Sequence, residues 1–195
     1  MQKKKYTGFW VGGFIVLIGI FMIVTYNALI KKEEVVKKQW SEIQNTYQRR
    51  IDLIPNLVNV VKGVSDFEQG TLEKIAEARS NALRGLSGSD LTGENYQNQK
   101  KLQDTLATVT NRLIIQIEKY PSLKGTEAYS GLQTQLEGTE RRIKVARNDF
   151  NEAVNSYNKK VRSFPVNLVA GILGFKKKVG FESASGSEKS VEIKF

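Results

Sequence analysis

Between Thr126 and Phe164 the chain reads TEAYSGLQTQLEGTERRIKVARNDFNEAVNSYNKKVRSF, and the spacing of its apolar residues decides the fold. Tyr129, Leu132, Leu136, Thr139, Ile143, Ala146, Phe150, Ala153, Tyr157, Val161 and Phe164 follow one another at intervals of three and four. A helix brings residues at those intervals onto one face, and a seam repeating every ~3.5 residues for so long is the pattern of coiled-coil-like packing. This segment is expected to be the longest helix of the protein, closed by Pro165.

Working outward, a helix expected from near Asn95 carries Leu102, Leu106, Val109, Leu113, Ile117 and Tyr120 and is ended by Pro121. Gly85 to Gly93 is rich in glycine and serine without an apolar period, so it reads as the one long connection. Nearer the N-terminus, Val36, Trp40, Ile43, Tyr47, Ile51 and Ile54 keep helical spacing until Pro55, the candidate kink. Proline lacks the amide donor and clashes with the preceding turn, so the spacing predicts a kink there or a break into a second helix. That second helix would carry Leu57, Val60, Val61, Val64, Phe67, Ile75, Ala78 and Ala82. Strand-type alternation is absent before Pro165, and the expected class is all-α: an antiparallel bundle of three to four long helices.

Ahead of the bundle, Trp10 to Ile30 is a run of twenty-one uncharged residues following Lys3, Lys4 and Lys5. At ~1.5 Å per residue, about twenty apolar residues span a bilayer core. No small-x-small cleavage site follows, and the exit through Tyr26 and Asn27 to Lys31 and Lys32 is that of a retained anchor. Lysines flank both ends, so the positive-inside rule leaves a near tie. Glu33 and Glu34 dilute the second cluster, which favours a cytoplasmic N-terminus and a large domain on the non-cytoplasmic side of the cell membrane. The expected divisions are a basic tail over 1–8, a single transmembrane helix over 9–30, a helical bundle over 31–181 and a tail over 182–195. That tail is without fixed structure or, through Val191 to Phe195, a short strand.

Up-and-down geometry has the last bundle helix return towards the bilayer that the first one leaves. Leu168, Ile172, Phe175, Lys176, Lys177 and Lys178 then form a candidate interfacial segment against membrane lipid, the alternative being a cap on the end of the bundle.

Composition removes whole classes of chemistry. Without cysteine or histidine there is no thiolate nucleophile, no Ser-His or Cys-His pair and no imidazole ligand. Net charge is +10, or +7 without Lys3 to Lys5 (27 basic against 20 acidic residues). Such a surplus suits anionic lipid, nucleic acid or an acidic partner.

With these residues in view the chain resembles the LemA family over nearly all of 26–181. The motifs are Arg49-Arg50-Ile51-Asp52-Leu53-Ile54-Pro55-Asn56-Leu57-Val58, Glu77-Ala78-Arg79 and Glu118-Lys119-Tyr120-Pro121-Ser122-Leu123-Lys124. Further on come Leu136-Glu137-Gly138-Thr139-Glu140-Arg141-Arg142-Ile143, Ala146-Arg147-Asn148-Asp149-Phe150-Asn151 and Val154-Asn155-Ser156-Tyr157-Asn158. The resemblance implies a membrane-anchored helical bundle in bacteria with no established enzymatic activity. Because relatives are often encoded beside a membrane protease, it also implies a regulator or adaptor of such a protease or of an envelope stress response as the runner-up function.

Arg49, Arg50, Asp52, Glu77, Arg79, Glu140, Arg141 and Arg147 read as a structural ion-pair network between helices. A di-metal carboxylate site needs a Glu-x-x-His pair from each of two helices, which this chain lacks, so no metal and no cofactor are expected. No phosphate loop or nucleophile elbow is present. Asn151, Tyr157 and Asn158 offer a ligand groove only against the commoner reading of solvated helix faces. The basic residues from Arg141 to Arg162 alternate with acids, which disfavours nucleic acid as a partner. Gly8 and Gly12 make a G-x-x-x-G pattern for self-association in lipid, and Trp40, Tyr47 and Phe150 offer exposed contacts. The leading expectation is a non-enzymatic homo-oligomer or scaffold of the cell envelope.

Overall fold

The computed structural model describes residues 4–62, 69–86 and 93–181. They form six helices, α1 (Lys4–Lys62), α2 (Gln69–Leu86), α3 (Gly93–Ile117), α4 (Pro121–Lys124), α5 (Glu127–Arg162) and α6 (Val166–Ile172), with no strand among the described residues. The class is all-α, as the periodicity predicts. Lys32 meets Ser156 and Arg50 meets Glu140, so α5 runs antiparallel to α1. Trp40 meets Tyr96 and Arg50 meets Gln103, so α3 runs parallel to α1. Val64, Phe67, most of the Gly85 to Gly93 connection and the tail after Phe181 lie outside the described residues.

The longest helix is α1 and not α5: 59 residues against 36. At ~1.5 Å per residue α1 is about 88 Å long. It begins inside the expected basic tail, takes in the apolar run and continues through the bundle, so Leu57, Val60 and Val61 belong to it and not to a second helix. Pro55 lies inside this continuous helix. A proline there leaves the carbonyl four residues earlier without its amide donor. That carbonyl is Ile51, and the guanidinium Nε of Arg79 on α2 donates to it at 3.2 Å. A neighbouring helix thus supplies the hydrogen bond that the proline removes.

The seam expected on α1 is buried from Val36 through Ile54, and that of α5 from Leu136 through Val161. On α3 the buried face is Tyr96, Gln99, Gln103, Leu106, Thr110, Leu113 and Ile117, which leaves the expected Leu102 and Val109 at its margin. α3 ends at Ile117, and Pro121 opens α4. Thr126 caps α5 by accepting the Tyr129 amide at 3.3 Å. Trp40, Tyr47 and Phe150, expected as exposed contacts, are core residues. Tyr96 and Phe181 close over Trp40 and Phe150, with ring centroids 4.4 to 6.1 Å away. Phe164, expected in the seam, is 81% exposed because α5 stops at Arg162.

The Arg79 bond and Pro55 are expected to be coupled. Arg79→Ala should cost about 1.5–3 kcal/mol in denaturant unfolding of the detergent-solubilised protein. In a Pro55→Ala background Ile51 regains its own amide partner, and the cost of Arg79→Ala should fall well below that. Equal costs in both backgrounds would break the link.

Candidate functional site

Two apolar clusters divide the bundle. One, nearer the apolar end of α1, runs from Leu29 to Tyr47 with Ile143 to Val161, and the other holds Ile51 to Val61 with Ile75, Leu106 and Leu136. Between them lies a polar layer built by two arginines. Arg50, 2% exposed, reaches from α1 to the backbone and side-chain carbonyls of Gln103 on α3 at 3.0 and 3.2 Å and to the carboxylate of Glu140 on α5. Arg147 reaches from α5 to the hydroxyl of Tyr47 on α1 and to Asp104 on α3, both at 2.9 Å. Each arginine therefore ties the same three helices from opposite sides. Burial pushes the Asp104 carboxyl up, but hydrogen bonds from Arg147 and Lys100 outweigh it and hold the group below its ordinary value. Burial raises the Tyr47 phenol against the opposing charge of Arg147.

Of the eight residues expected to form a network, only Arg50 and Glu140 meet each other directly. Arg147 pairs with Asp104, and Arg79 serves the Ile51 carbonyl. Glu77 is exposed on α2, and Asp52 accepts from Gln48 at 2.8 Å. Arg49, Asp52 and Arg141 line an open groove of about 1090 Å³ on the outer face between α1 and α5, with Glu42, Arg142 and Asp149. Asp104, Gln103 and Tyr47 join the layer from outside the expected network. The signal that could have found it is polar residues on apolar seam positions, Gln99, Gln103 and Thr110 on α3 and Thr139 on α5. No cluster of three metal-ligating side chains occurs among the described residues.

The second feature is an extended strap after α6. Gly174, with φ at +76°, ends α6 in the left-handed conformation that suits glycine, while the Phe175 amide donates to the Ala170 carbonyl at 2.9 Å. The chain then climbs the groove between α1 and α5. Asn158 donates to the Lys178 carbonyl and accepts its amide, at 2.8 and 2.9 Å. Asn151 does the same to Phe181 at 3.0 and 2.7 Å, and Tyr157 donates to the Lys176 carbonyl at 3.0 Å. A Cβ on Gly180 would stand 2.6 Å from the Asn151 side chain, so the strap needs glycine there. The groove read from Asn151, Tyr157 and Asn158 is filled by the chain's own backbone.

On the α1 side Phe175 meets Tyr26, with ring centroids 5.9 Å apart, Lys178 pairs with Glu33 at 2.8 Å, and Phe181 stacks near Trp40. Leu168 and Ile172 are exposed on α6, whereas Val166, Val169 and Ala170 face the bundle. Lys176 and Lys177 are exposed. Gly8 and Gly12 stand at the exposed start of α1, where a Cβ on either would meet nothing within 4 Å.

Removing one partner of a buried charge costs more than replacing the charge by an apolar side chain. Glu140→Ala, which leaves the buried Arg50 without its carboxylate and with only the Gln103 carbonyls, is expected to lower stability by about 2–3 kcal/mol, and Arg50→Met by less, in the same denaturant assay. The reverse order would contradict the pairing of Arg50 as the source of the layer's stability. Tyr96, with its hydroxyl unpartnered among the described residues, is pushed up to about 12 by burial. A raised phenol contributes stability that is complete below its unfolded value of ~10 and is lost as pH rises towards the folded one. Tyr96→Phe should therefore leave stability at neutral pH intact and move alkaline unfolding to higher pH, followed by circular dichroism.

The sequence model of the LemA family matches residues 39–195, a range holding Trp40, the polar layer, α6 and the strap. Protein LemA of Metamycoplasma hominis is 28% identical over 165 residues, covering 83% of this chain and 72% of its own. Magnetosome protein MamQ 2 of Paramagnetospirillum magneticum is 22% identical over 188 residues, 87% of this chain and 69% of its own. Magnetosome protein MamQ of Magnetospirillum gryphiswaldense is 22% identical over 174 residues, 80% and 64% of the two chains. The polar layer and the strap lie within the matched range, and the chain belongs to the LemA family.

Proposed function

We propose that this protein is a non-enzymatic, membrane-anchored post that self-assembles or scaffolds other proteins of the bacterial envelope, with its N-terminus in the cytoplasm and its large domain outside. The observation that carries the reading is where the polar motif residues go. Arg50, Arg79, Glu140, Arg147, Asn151, Tyr157 and Asn158 all bond to the protein's own backbone and side chains. Their product is a fixed shape, not a reactive centre. α1 is long and apolar enough at its N-terminal end to cross a membrane, and the same helix is the main strut of the bundle.

Assembly has two supports. The outer groove between α1 and α5 mixes Lys38, Arg49 and Arg141 with Glu42, Asp52 and Asp149, a pattern that a second copy can complement. In lipid, Gly8 and Gly12 leave the start of α1 open to close helix approach. The relatives' names denote a family and a cellular structure and no reaction.

Light scattering of the full-length protein in mild detergent, with electron-microscope images of the same fraction, tests the reading. The expected result is a regular particle whose protein mass is a multiple of 22.0 kDa. A strict monomer in several detergents would remove self-assembly and move the role to a partner protein, to be captured from membranes.

A further inference from the structure

The described surface has one place where apolar side chains are exposed beside the end of the apolar run yet outside α1 itself. α6 reads VNLVAGI, with Asn167 its one polar side chain. A helix that is apolar all round is normally covered all round. Here the bundle covers only Val166, Val169 and Ala170, while Leu168 is 59% and Ile172 76% exposed. Phe164 and Leu173 extend this uncovered face.

Its height relative to the bilayer follows from its contacts. Thr25 and Leu29, in the last turns of the apolar run, are buried, and Leu29 shares a core cluster with Val166 and Ala170. Phe175 touches Tyr26, and Lys178 pairs with Glu33 just beyond the run. α6 therefore lies alongside the stretch where α1 leaves the membrane, at the depth where aromatic rings and lysines meet lipid headgroups. Lys176 and Lys177 stand exposed at that level, as do Lys31 and Lys32. The strap fixes the position, since Tyr157 and Asn158 hold the backbone of Lys176 and Lys178.

We propose that α6 with its flanks is a second membrane contact: a foot whose Phe164, Leu168 and Ile172 enter the headgroup and acyl boundary of the bilayer that α1 crosses, while Lys176 and Lys177 bind anionic headgroups. This rests on α1 being a membrane anchor. An apolar face inserted at the boundary with basic residues beside it is how interfacial helices bind. Two contacts on one bilayer fix the tilt of the domain, which a single spanning helix leaves free to rock. The face is continuous with the span and its lysines complement anionic lipid, so the occupant is lipid and not a second copy of the chain.

The chain has no cysteine, so single cysteines carry a nitroxide label without background. Full-length protein with Leu168→Cys, Ile172→Cys, Val16→Cys or Thr108→Cys is placed in vesicles of equal parts phosphatidylcholine and phosphatidylglycerol. Collision rates with oxygen, which favours lipid, and with a water-soluble nickel chelate give the depth of each label. All four sites are exposed, and circular dichroism checks that each variant folds. Labels at 168 and 172 are expected to follow Val16, severalfold more accessible to oxygen than to nickel, and Thr108 the reverse. Labels at 168 and 172 that match Thr108 while Val16 stays in lipid would overturn the foot and leave the anchor standing. A water-like Val16 would overturn the anchor itself. Protection of 168 and 172 from both reagents, with spin-spin broadening, would mean a second copy covers the face and would also overturn the proposal. With Lys176→Gln and Lys177→Gln together, the labels should become shallower in anionic vesicles but not in pure phosphatidylcholine. No change in either would overturn the headgroup contact.

Discussion

Arg79 on the Ile51 carbonyl is a small contact on which the architecture depends, because it lets α1 pass through Pro55 as one helix. A proline in a helix interior costs about 3 kcal/mol or more, part of it the hydrogen bond lost by the carbonyl it frees and part the clash of its ring with that carbonyl. Here α2 arrives with a charged donor, and the helix runs on for seven residues to Lys62. Those residues place Leu57 and Val61 in the distal core beside Ile75 and Leu113. A break at Pro55 would take Leu57 and Val61 out of line with Ile51 and Ile54, which belong to the same cluster. The Arg49 to Val58 and Glu77 to Arg79 motifs are then two halves of one device: one supplies the proline, the other its remedy.

The same rod sets the geometry of the strap. From Tyr26 to Trp40 is fourteen helical residues, about 21 Å at ~1.5 Å each. From Phe175 to Phe181 is six residues, about 20 Å at ~3.3 Å each when extended. The two rises match, so an extended chain meets α1 at Tyr26, Glu33 and Trp40 in turn. Extended backbone laid on helices has no neighbouring strand to satisfy its amides and carbonyls. Asn151 and Asn158 take that part, since a primary amide offers a donor and an acceptor in the spacing of a peptide group. Asparagines in the middle of a long helix, poor helix formers in isolation, thereby have a physical reason.

How much of this is legible in the sequence differs by element. The seams of α1 and α5 follow from spacing alone, because each buries one continuous stripe against the other. Of the two readings of Pro55, the break into a second helix does not occur, because the rule for proline is local while the bond that offsets it comes from twenty-eight residues away. The face of α3 is legible only in part: Leu106, Leu113 and Ile117 are buried as expected, but the stripe also contains Gln99, Gln103 and Thr110, and a count of apolar residues turns towards Leu102 and Val109 instead. Trp40, Tyr47 and Phe150 look available for partners until the strap and α3 are known to cover them. Among the charged residues, Arg50 with Glu140 and Arg147 with Asp104 form pairs across 90 and 43 positions of sequence. No spacing rule links residues at such distances, so the list of charges is readable and the pairing is not.

The polar layer is best understood by what it forbids. Apolar stripes on long antiparallel helices pack almost equally well after a slip of one turn, since a seam of leucines, isoleucines and valines carries little record of register. A slip of one turn moves Arg50 away from Gln103 and Glu140, and Arg147 away from Tyr47 and Asp104, leaving two guanidinium groups within an apolar core. Removing a partner from a buried charge is strongly destabilising even where the intact pair adds little. Two arginines, one donated from α1 and one from α5, therefore fix α1, α3 and α5 against sliding in either direction. In a protein whose first helix leaves an apolar span, that register also fixes how far α6 reaches: a slip of α5 by one turn would move Val166 to Phe175 about 5.4 Å along α1, away from Leu29 and Tyr26.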